Sequence, residues 1–201
     1  MKIREGLKRI VDILLSLITL PLILPLMAAC GVLIRLDSPG PVFFRQDRLG
    51  RSHKPFRVIK LRTMVQGAEK MGAGLYAEQD DPRYTRMGLL LRRFSLDELP
   101  QVFNVLQGTM SIVGPRPLPA EIVEQYQAEY QVILRVRPGI TGLSQVSGRN
   151  ELPRSRRLQL DMYYAENWSL SLDLQILWET IAVVATGAGQ VNYQRREDVE
   201  R

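Results

Sequence analysis

Ile13-Leu-Leu-Ser-Leu-Ile-Thr-Leu-Pro21-Leu-Ile-Leu-Pro25-Leu-Met-Ala-Ala-Cys30-Gly-Val-Leu-Ile34 is a run of 22 residues without a charge. A straight helix of that length would reach ~33 Å at ~1.5 Å per residue, enough to cross a bilayer core of ~30 Å. Two features favour entry and return over crossing. Lys2, Arg4, Lys8 and Arg9 precede the run and a basic block follows it, so the positive-inside bias draws both ends to one side. Pro21 and Pro25 lie near the middle, where each removes a backbone donor and crowds the preceding turn. Transmembrane helices tolerate proline when freed carbonyls find partners, so spanning stays open; a re-entrant segment broken at Pro21 and Pro25 is the expectation. A cleaved signal peptide is disfavoured by the length of the run and by Arg35 and Asp37 directly after it. Asp12, at its start, reads as an interfacial carboxylate, paired with Lys8 or Arg9 or solvated.

Outside this run the chain is markedly polar. Residues 35–62 carry eight basic and two acidic side chains, which equals the net charge of +6 of the whole 201-residue protein. A basic block directly after a membrane segment reads as a cytoplasmic surface facing anionic lipid. No zinc spacing, aromatic RNA-binding motif or glycine-rich phosphate loop accompanies it, so nucleic acid is not the expected partner. With 15 Gly, 12 Pro and 1 Cys the chain is neither collagen-like, low-complexity nor disulfide-stapled. Cys30, inside the apolar run, reads as a small hydrophobe.

The expected fold class is α+β and mostly helical. Residues 42–44 and 56–61 read as two short strands around a polar turn containing Gly50, a hairpin. Residues 67–82, rich in Gly and Asp, read as a mobile loop with at most a short helix. A short helix over 89–94 stops at Ser95, and Ser95-Leu-Asp-Glu98 fits a capping box for the next helix, which ends at Gly108. Pro100 would move that cap towards Leu99; either way Asp97 and Glu98 stand at a helix N-terminus. Residues 121–135, 154–168 and 173–186 are further helices. Several of these would lie as amphipathic helices in the membrane interface with Trp178 at headgroup depth, or else simply pack on one another.

A single His and a single Cys leave no Ser-His-Asp, Cys-His or zinc site, so catalysis must rest on carboxylates. Asp97-Glu98 is the foremost pair, because a helix start and the adjacent Arg92-Arg93 would keep Asp97 ionised, as a nucleophile or a magnesium ligand requires. Its bland reading is a favourable N-terminus. Gly114-Pro-Arg116-Pro117 presents an arginine on a rigid backbone, suited to a phosphate or else a proline-rich turn with a solvated side chain. Ser147-Gly-Arg149-Asn150 is a second loop of that kind; Lys60, Arg62, Arg92, Arg116 and Arg149 could converge on a diphosphate.

Taken in order, several motifs resemble the bacterial sugar transferases, the monotopic phosphoglycosyl transferases. They are Lys8-Arg-x-x-Asp12, the proline-bearing run, Asp37-Ser-Pro-Gly-Pro-Val-Phe-Phe-Arg-Gln46, Lys60-Leu-Arg-Thr-Met64, Asp81-Pro-Arg83, Ser95-Leu-Asp-Glu-Leu-Pro-Gln101, Met110-Ser-Ile-Val-Gly-Pro-Arg-Pro117 and Arg137-Pro-Gly-Ile-Thr-Gly142. The resemblance covers residues from about 8 to 185. It implies transfer of a sugar 1-phosphate from a UDP-sugar to undecaprenyl phosphate with release of UMP, as the first membrane step of glycan assembly. It also implies magnesium and a covalent phosphosugar intermediate on Asp97, with Glu98 as its catalytic neighbour and Asp97 as the metal ligand. The family's anion-binding arginines fall on Arg92, Arg116 and Arg149, which joins them to the candidates Lys60 and Arg62 read above, and the membrane break falls on Pro25, with Pro21 an extra proline. Residues 1–36 would be the membrane-embedded part, 37–193 a catalytic region on the cytoplasmic face of the bacterial inner membrane, and 194–201 a frayed tail. The chain departs from the pattern at Leu24, where many members carry Ser, and at Thr109, where an acid is common. No multi-span N-terminal domain precedes the motifs, which suggests the small form of the family. The sugar is not legible, and the oligomeric state is open, a homo-oligomer included. The reading from another class is a non-catalytic, membrane-anchored module that binds lipid or a partner through the basic block.

Overall fold

The computed structural model describes residues 2–72 and 81–187. Among these, α1 (Lys2–Asp37) is followed by the antiparallel hairpin β1 (Phe43–Leu49) and β2 (Pro55–Leu61), with Phe43 opposite Leu61 and Leu49 opposite Pro55. Next come α2 (Arg86–Arg93), α3 (Gln101–Gln107), β3 (Ser111–Val113), α4 (Ala120–Gln125), α5 (Gln127–Ile133), β4 (Gly139–Thr141), α6 (Leu143–Val146), α7 (Arg154–Asn167) and α8 (Leu170–Thr186). The hairpin is the expected one, with longer strands. β3 and β4 pair in parallel, Ser111 with Gly139 and Val113 with Thr141, a sheet too short to show as an alternating pattern. The expected helix over 121–135 is divided at Tyr126, whose φ of −132° and ψ of 48° leave the helical region. The second half of the glycine-rich loop and the tail from Gln194 onward lie outside the described residues; its first half holds a single 3₁₀ turn, Ala68–Lys70.

The 36 residues of α1 stay α-helical through Pro21 and Pro25, so the expected helix-break-helix is corrected to a continuous helix. Each proline deletes one donor and crowds one carbonyl, a disturbance that a long helix absorbs when other contacts hold both of its halves. Asp12, Ser16, Met27, Cys30, Gly31 and Ile34 are buried and Ile23 is half-buried, a stripe at three- and four-residue steps that lies along the rest of the protein. Ile18, Leu22, Val32 and Leu36 look outward, each at least 60% exposed.

Both ends of this stripe are fastened to the same body. Near the start, Asp12 is neither solvated nor paired with a neighbouring cation: its carboxylate accepts the Ser111 hydroxyl at 2.9 and 2.8 Å and the Ile112 N–H at 3.0 Å. Arg9 donates to the carbonyls of Val105 and Leu106 at the end of α3, and Lys8 pairs with Asp173 of α8. Near the other end, Cys30 and Ile34 pack with Leu61 and Leu91. Val58, Val105 and Met110 join β2 to α3, Val113, Tyr164 and Ile176 join β3 to α7 and α8, and Tyr130, Ile133 and Leu158 join α5 to α7.

Among the described residues α1 is the helix long and apolar enough to cross a membrane. α8 packs inward through Asp173 and Ile176 and exposes Leu174, Trp178 and Ile181 on its other face.

Candidate active site

Local geometry carries the acidic pair into the interior. Ser95 adopts a left-handed φ of 55° and its side chain caps nothing, so the expected capping box is absent. Asp97 and Glu98 belong to a 3₁₀ turn, Leu96–Glu98, and α3 starts only at Gln101 behind Pro100, the proline taking the boundary because it has no N–H to be capped. Asn104 of α3 then ties this turn to the hairpin, accepting the Ile59 N–H at 3.1 Å and donating to the Arg57 carbonyl at 2.8 Å. That grip delivers Lys60, the next residue of β2, to the acids.

The Lys60 ammonium lies 2.9 Å from Glu98 and 3.8 Å from Asp97, and the Arg116 guanidinium donates to the same Glu98 oxygen at 3.1 Å. Burial alone would push the Glu98 carboxyl upward, but the charges and hydrogen bonds of Lys60 and Arg116 outweigh it and bring its pKa to about 2. Asp97 goes the other way. Its burial, reinforced by the Glu98 charge, raises it, and Lys60, Arg92 and Arg116 oppose that rise. The net direction for Asp97 is upward, so burial outweighs the surrounding cations, and the helix cap expected to hold it ionised is absent. Burial lowers Lys60, and Glu98 raises Arg116.

Arg92 stands beside this group with its guanidinium 4.9 Å from the centre of the Tyr84 ring, and Arg149, in a left-handed conformation with φ of 53°, feels the charges of Glu98, Arg116 and Asp97. Four of the five expected cations thus gather at the acidic pair. Arg62 does not: it is buried and donates to the carbonyls of Ser38 and Pro39, clamping the turn after α1. Thr109 donates to the Asn104 carbonyl at the end of α3.

The loop bearing Arg116 is placed by backbone contact. A Cβ on Gly114 would stand 2.4 Å from the Arg137 carbonyl oxygen, and one on Gly139 would stand 2.1 Å from the Gly114 nitrogen, so the parallel pair β3–β4 closes only with glycine at both positions.

Beside the cluster opens a cavity of about 610 Å³. Leu15, Leu22 and Ile23 of α1 and Leu177, Ile181 and Val184 of α8 line its walls, while Glu98, Arg116, Arg149 and Arg157 supply its charged side. Sequence reasoning missed Arg157, Tyr84, Arg48 and Asp161 around this site. For Arg48 a signal existed: it shares strand parity with Gln46 and Phe44 on a strand otherwise exposed at every second residue.

Among the described residues no three His, Cys, Asp or Glu side chains cluster as metal ligands. Glu98 is committed to two cations, which leaves Asp97 as the acidic donor. One carboxylate suits magnesium, which keeps several waters and is commonly shared with substrate phosphates.

The chain was compared with known proteins. A UDP-N-acetylgalactosamine-undecaprenyl-phosphate N-acetylgalactosaminephosphotransferase of Aeromonas hydrophila is 45% identical over 188 residues, covering 90% of this chain and 44% of that protein. The exopolysaccharide production protein ExoY of Sinorhizobium fredii is 38% identical over 196 residues, 90% of this chain and 87% of its own. A UDP-glucose:undecaprenyl-phosphate glucose-1-phosphate transferase of Escherichia coli is 44% identical over 184 residues, 87% of this chain and 39% of its own. The chain therefore spans less than half of the Aeromonas and Escherichia proteins and most of ExoY. The family model described as bacterial sugar transferase matches residues 3–187, and the chain belongs to that family.

Proposed function

We propose that this protein transfers a sugar 1-phosphate from a UDP-sugar to undecaprenyl phosphate, forming an undecaprenyl-diphosphate sugar and UMP as the first membrane step of glycan assembly. The observation that carries the reading is the union of an apolar cavity between α1 and α8 with a buried carboxylate pair and four cations at its charged side. A lipid chain and a diphosphate can meet there. The Aeromonas and Escherichia relatives, named as transferases acting on UDP-sugars and undecaprenyl phosphate, support the substrate classes.

In the first step an Asp97 carboxylate oxygen attacks the sugar-bearing phosphorus. The bond from that phosphorus to the bridging oxygen breaks and its electron pair leaves on UMP, so the sugar phosphate is held as an acyl phosphate. In the second step a phosphate oxygen of undecaprenyl phosphate attacks the same phosphorus and the Asp97 carboxylate departs, which gives ping-pong kinetics. Lys60, Arg92, Arg116 and Arg149 stabilise the charge that shifts across the diphosphate. Glu98 orients Lys60 and Arg116. Asp97 and the substrate phosphates would hold magnesium, which when bound adds further charge neutralisation.

The membrane arrangement belongs to the same proposal: α1 enters the inner membrane from the cytoplasmic side and does not cross it. Support comes from its two anchors, Asp12 on β3 and Ile34 on Leu61 and Leu91, which hold both ends of the apolar run on one body.

Release of UMP from a panel of UDP-sugars, with undecaprenyl phosphate and magnesium, tests the activity. Asp97→Asn is expected to lower the rate by ~10³-fold or more, as removal of a nucleophile does. When undecaprenyl phosphate is withheld, sugar phosphate labelled with ³²P should remain on the wild-type protein and not on Asp97→Ala. A wild type that releases no UMP with any sugar overturns the reading, and equal label on Asp97→Ala overturns the nucleophile.

A further inference from the structure

The segment Pro115-Arg116-Pro117 has one backbone N–H, that of Arg116, because proline has none. Two charged side chains that the transfer mechanism does not use, Asp161 buried and Arg48 half-buried, reach this short segment from different elements. Asp161 of α7 is 6% exposed; its carboxylate accepts the Ser144 hydroxyl at 2.8 Å and lies within electrostatic reach of the Arg116 backbone and guanidinium. Arg48 of β1 donates through one terminal nitrogen to the Pro117 carbonyl at 3.3 Å and through the other to the Gln46 side chain. The Pro115 carbonyl is taken in turn by the Gly139 N–H at 2.9 Å.

We propose that Asp161 and Arg48 are positioning residues for Arg116, gripping its loop from α7 and β1 so that the guanidinium is held beside Glu98, ready for the diphosphate of the nucleotide sugar. The proposal rests on the reading of Arg116 as a diphosphate ligand. The physical case is that a polyproline segment has too few donors to hold itself in a sheet or helix, so neighbours must supply the missing bonds. A buried carboxylate and a half-buried guanidinium are costly to place, and both are directed at a three-residue loop. Asp161 faces the cations Arg116 and Arg157 and the Tyr130 phenol of α5, while burial holds its carboxyl up at about 7. Arg48 faces Arg116 and Glu98 and is lowered by burial to about 10. Each acts on the reaction through the loop.

Calorimetric binding of UDP, together with kcat/KM for the UDP-sugar and KM for undecaprenyl phosphate, tests the proposal on the full chain in detergent. Asp161→Leu and Arg48→Met are each expected to weaken UDP binding and lower kcat/KM ~10- to 100-fold, the usual consequence of a displaced positioning contact. KM for undecaprenyl phosphate should stay near wild type. Asp161→Asn, which keeps an acceptor oxygen on that side of the loop, should retain most of the activity. In an Arg116→Ala background the same substitutions should cost less than about twofold more, because the group they position is gone. Full multiplicative losses in that background, or wild-type UDP binding in Asp161→Leu and Arg48→Met, overturn the proposal. Should Asp161→Leu fail to fold, Arg48→Met carries the same cycle. If the wild type turns over no UDP-sugar, the transferase reading falls, and the UDP-binding cycle still decides whether the two residues act through Arg116.

Discussion

At the scale of single residues, the site separates two adjacent carboxyls by their surroundings: cations hold Glu98 down at about 2, and burial lifts Asp97. The pair was legible as a dipeptide, and so were the four cations that gather around it. What the dipeptide could not convey was the opposite electrostatics of its two members, because the cap on Ser95 is replaced by a left-handed turn and the nearest cation is Lys60, 37 positions upstream of Asp97. Arg62 shows the converse. It has the same residue type as the arginines around the pair and lies two positions from Lys60, yet its guanidinium is consumed by the carbonyls of Ser38 and Pro39. Asp161 supplies a prediction at this scale. Its carboxyl stands at about 7 in the folded protein against an ordinary value of 3.8, so between about pH 4 and pH 7 the folded state keeps a proton that the unfolded chain has released. Stability from this group is therefore present at low pH and is lost as pH rises to about 7, at up to ~1.4 kcal/mol per pH unit. Melting temperatures of wild type and Asp161→Asn between pH 4 and 8 check this; the variant should show the shallower decline.

At the scale of elements, the hairpin and α7 and α8 stand close to where periodicity places them, since each is decided by local pattern. The division at Tyr126 and the β3–β4 pair do not show in the pattern, because both depend on contacts between distant segments. The same holds for α1. Its composition marks it as a membrane element, but the continuity of its backbone through Pro21 and Pro25 goes with a stripe of tertiary contacts on one face. Asp12 is the polar anchor of that stripe. Asp12→Ala would leave the Ser111 hydroxyl and the Ile112 N–H without their partner, at a cost of ~2 kcal/mol or more, whereas Asp12→Asn keeps one acceptor and should cost less. Thermal unfolding in detergent reads both variants.

For the whole molecule, function lies in the meeting of an apolar and a charged surface. α1 and α8, 132 positions apart from Asp37 to Ser169 in connecting chain, form the walls of a single cavity whose charged side is Glu98, Arg116 and Arg149. Filling the wall with Leu177→Trp should raise KM for undecaprenyl phosphate about tenfold or more while leaving UMP release in a single turnover without acceptor near wild type. Rapid-quench measurement of the two half-reactions separates them. Labelling of single cysteines placed at Lys2 and Ser52, in a Cys30→Ser background, should come from one face of the membrane; opposite faces would refute the proposal that α1 does not cross it. By itself the sequence determined the membrane element, the basic flank, the mostly helical class and the Asp97-Glu98 pair, because these follow from composition and short-range spacing. Only the tertiary structure decided which arginines serve the pair, what holds Arg116, and how the apolar cavity joins them, because a side chain's role is set by the partners that folding brings to it from elsewhere in the chain.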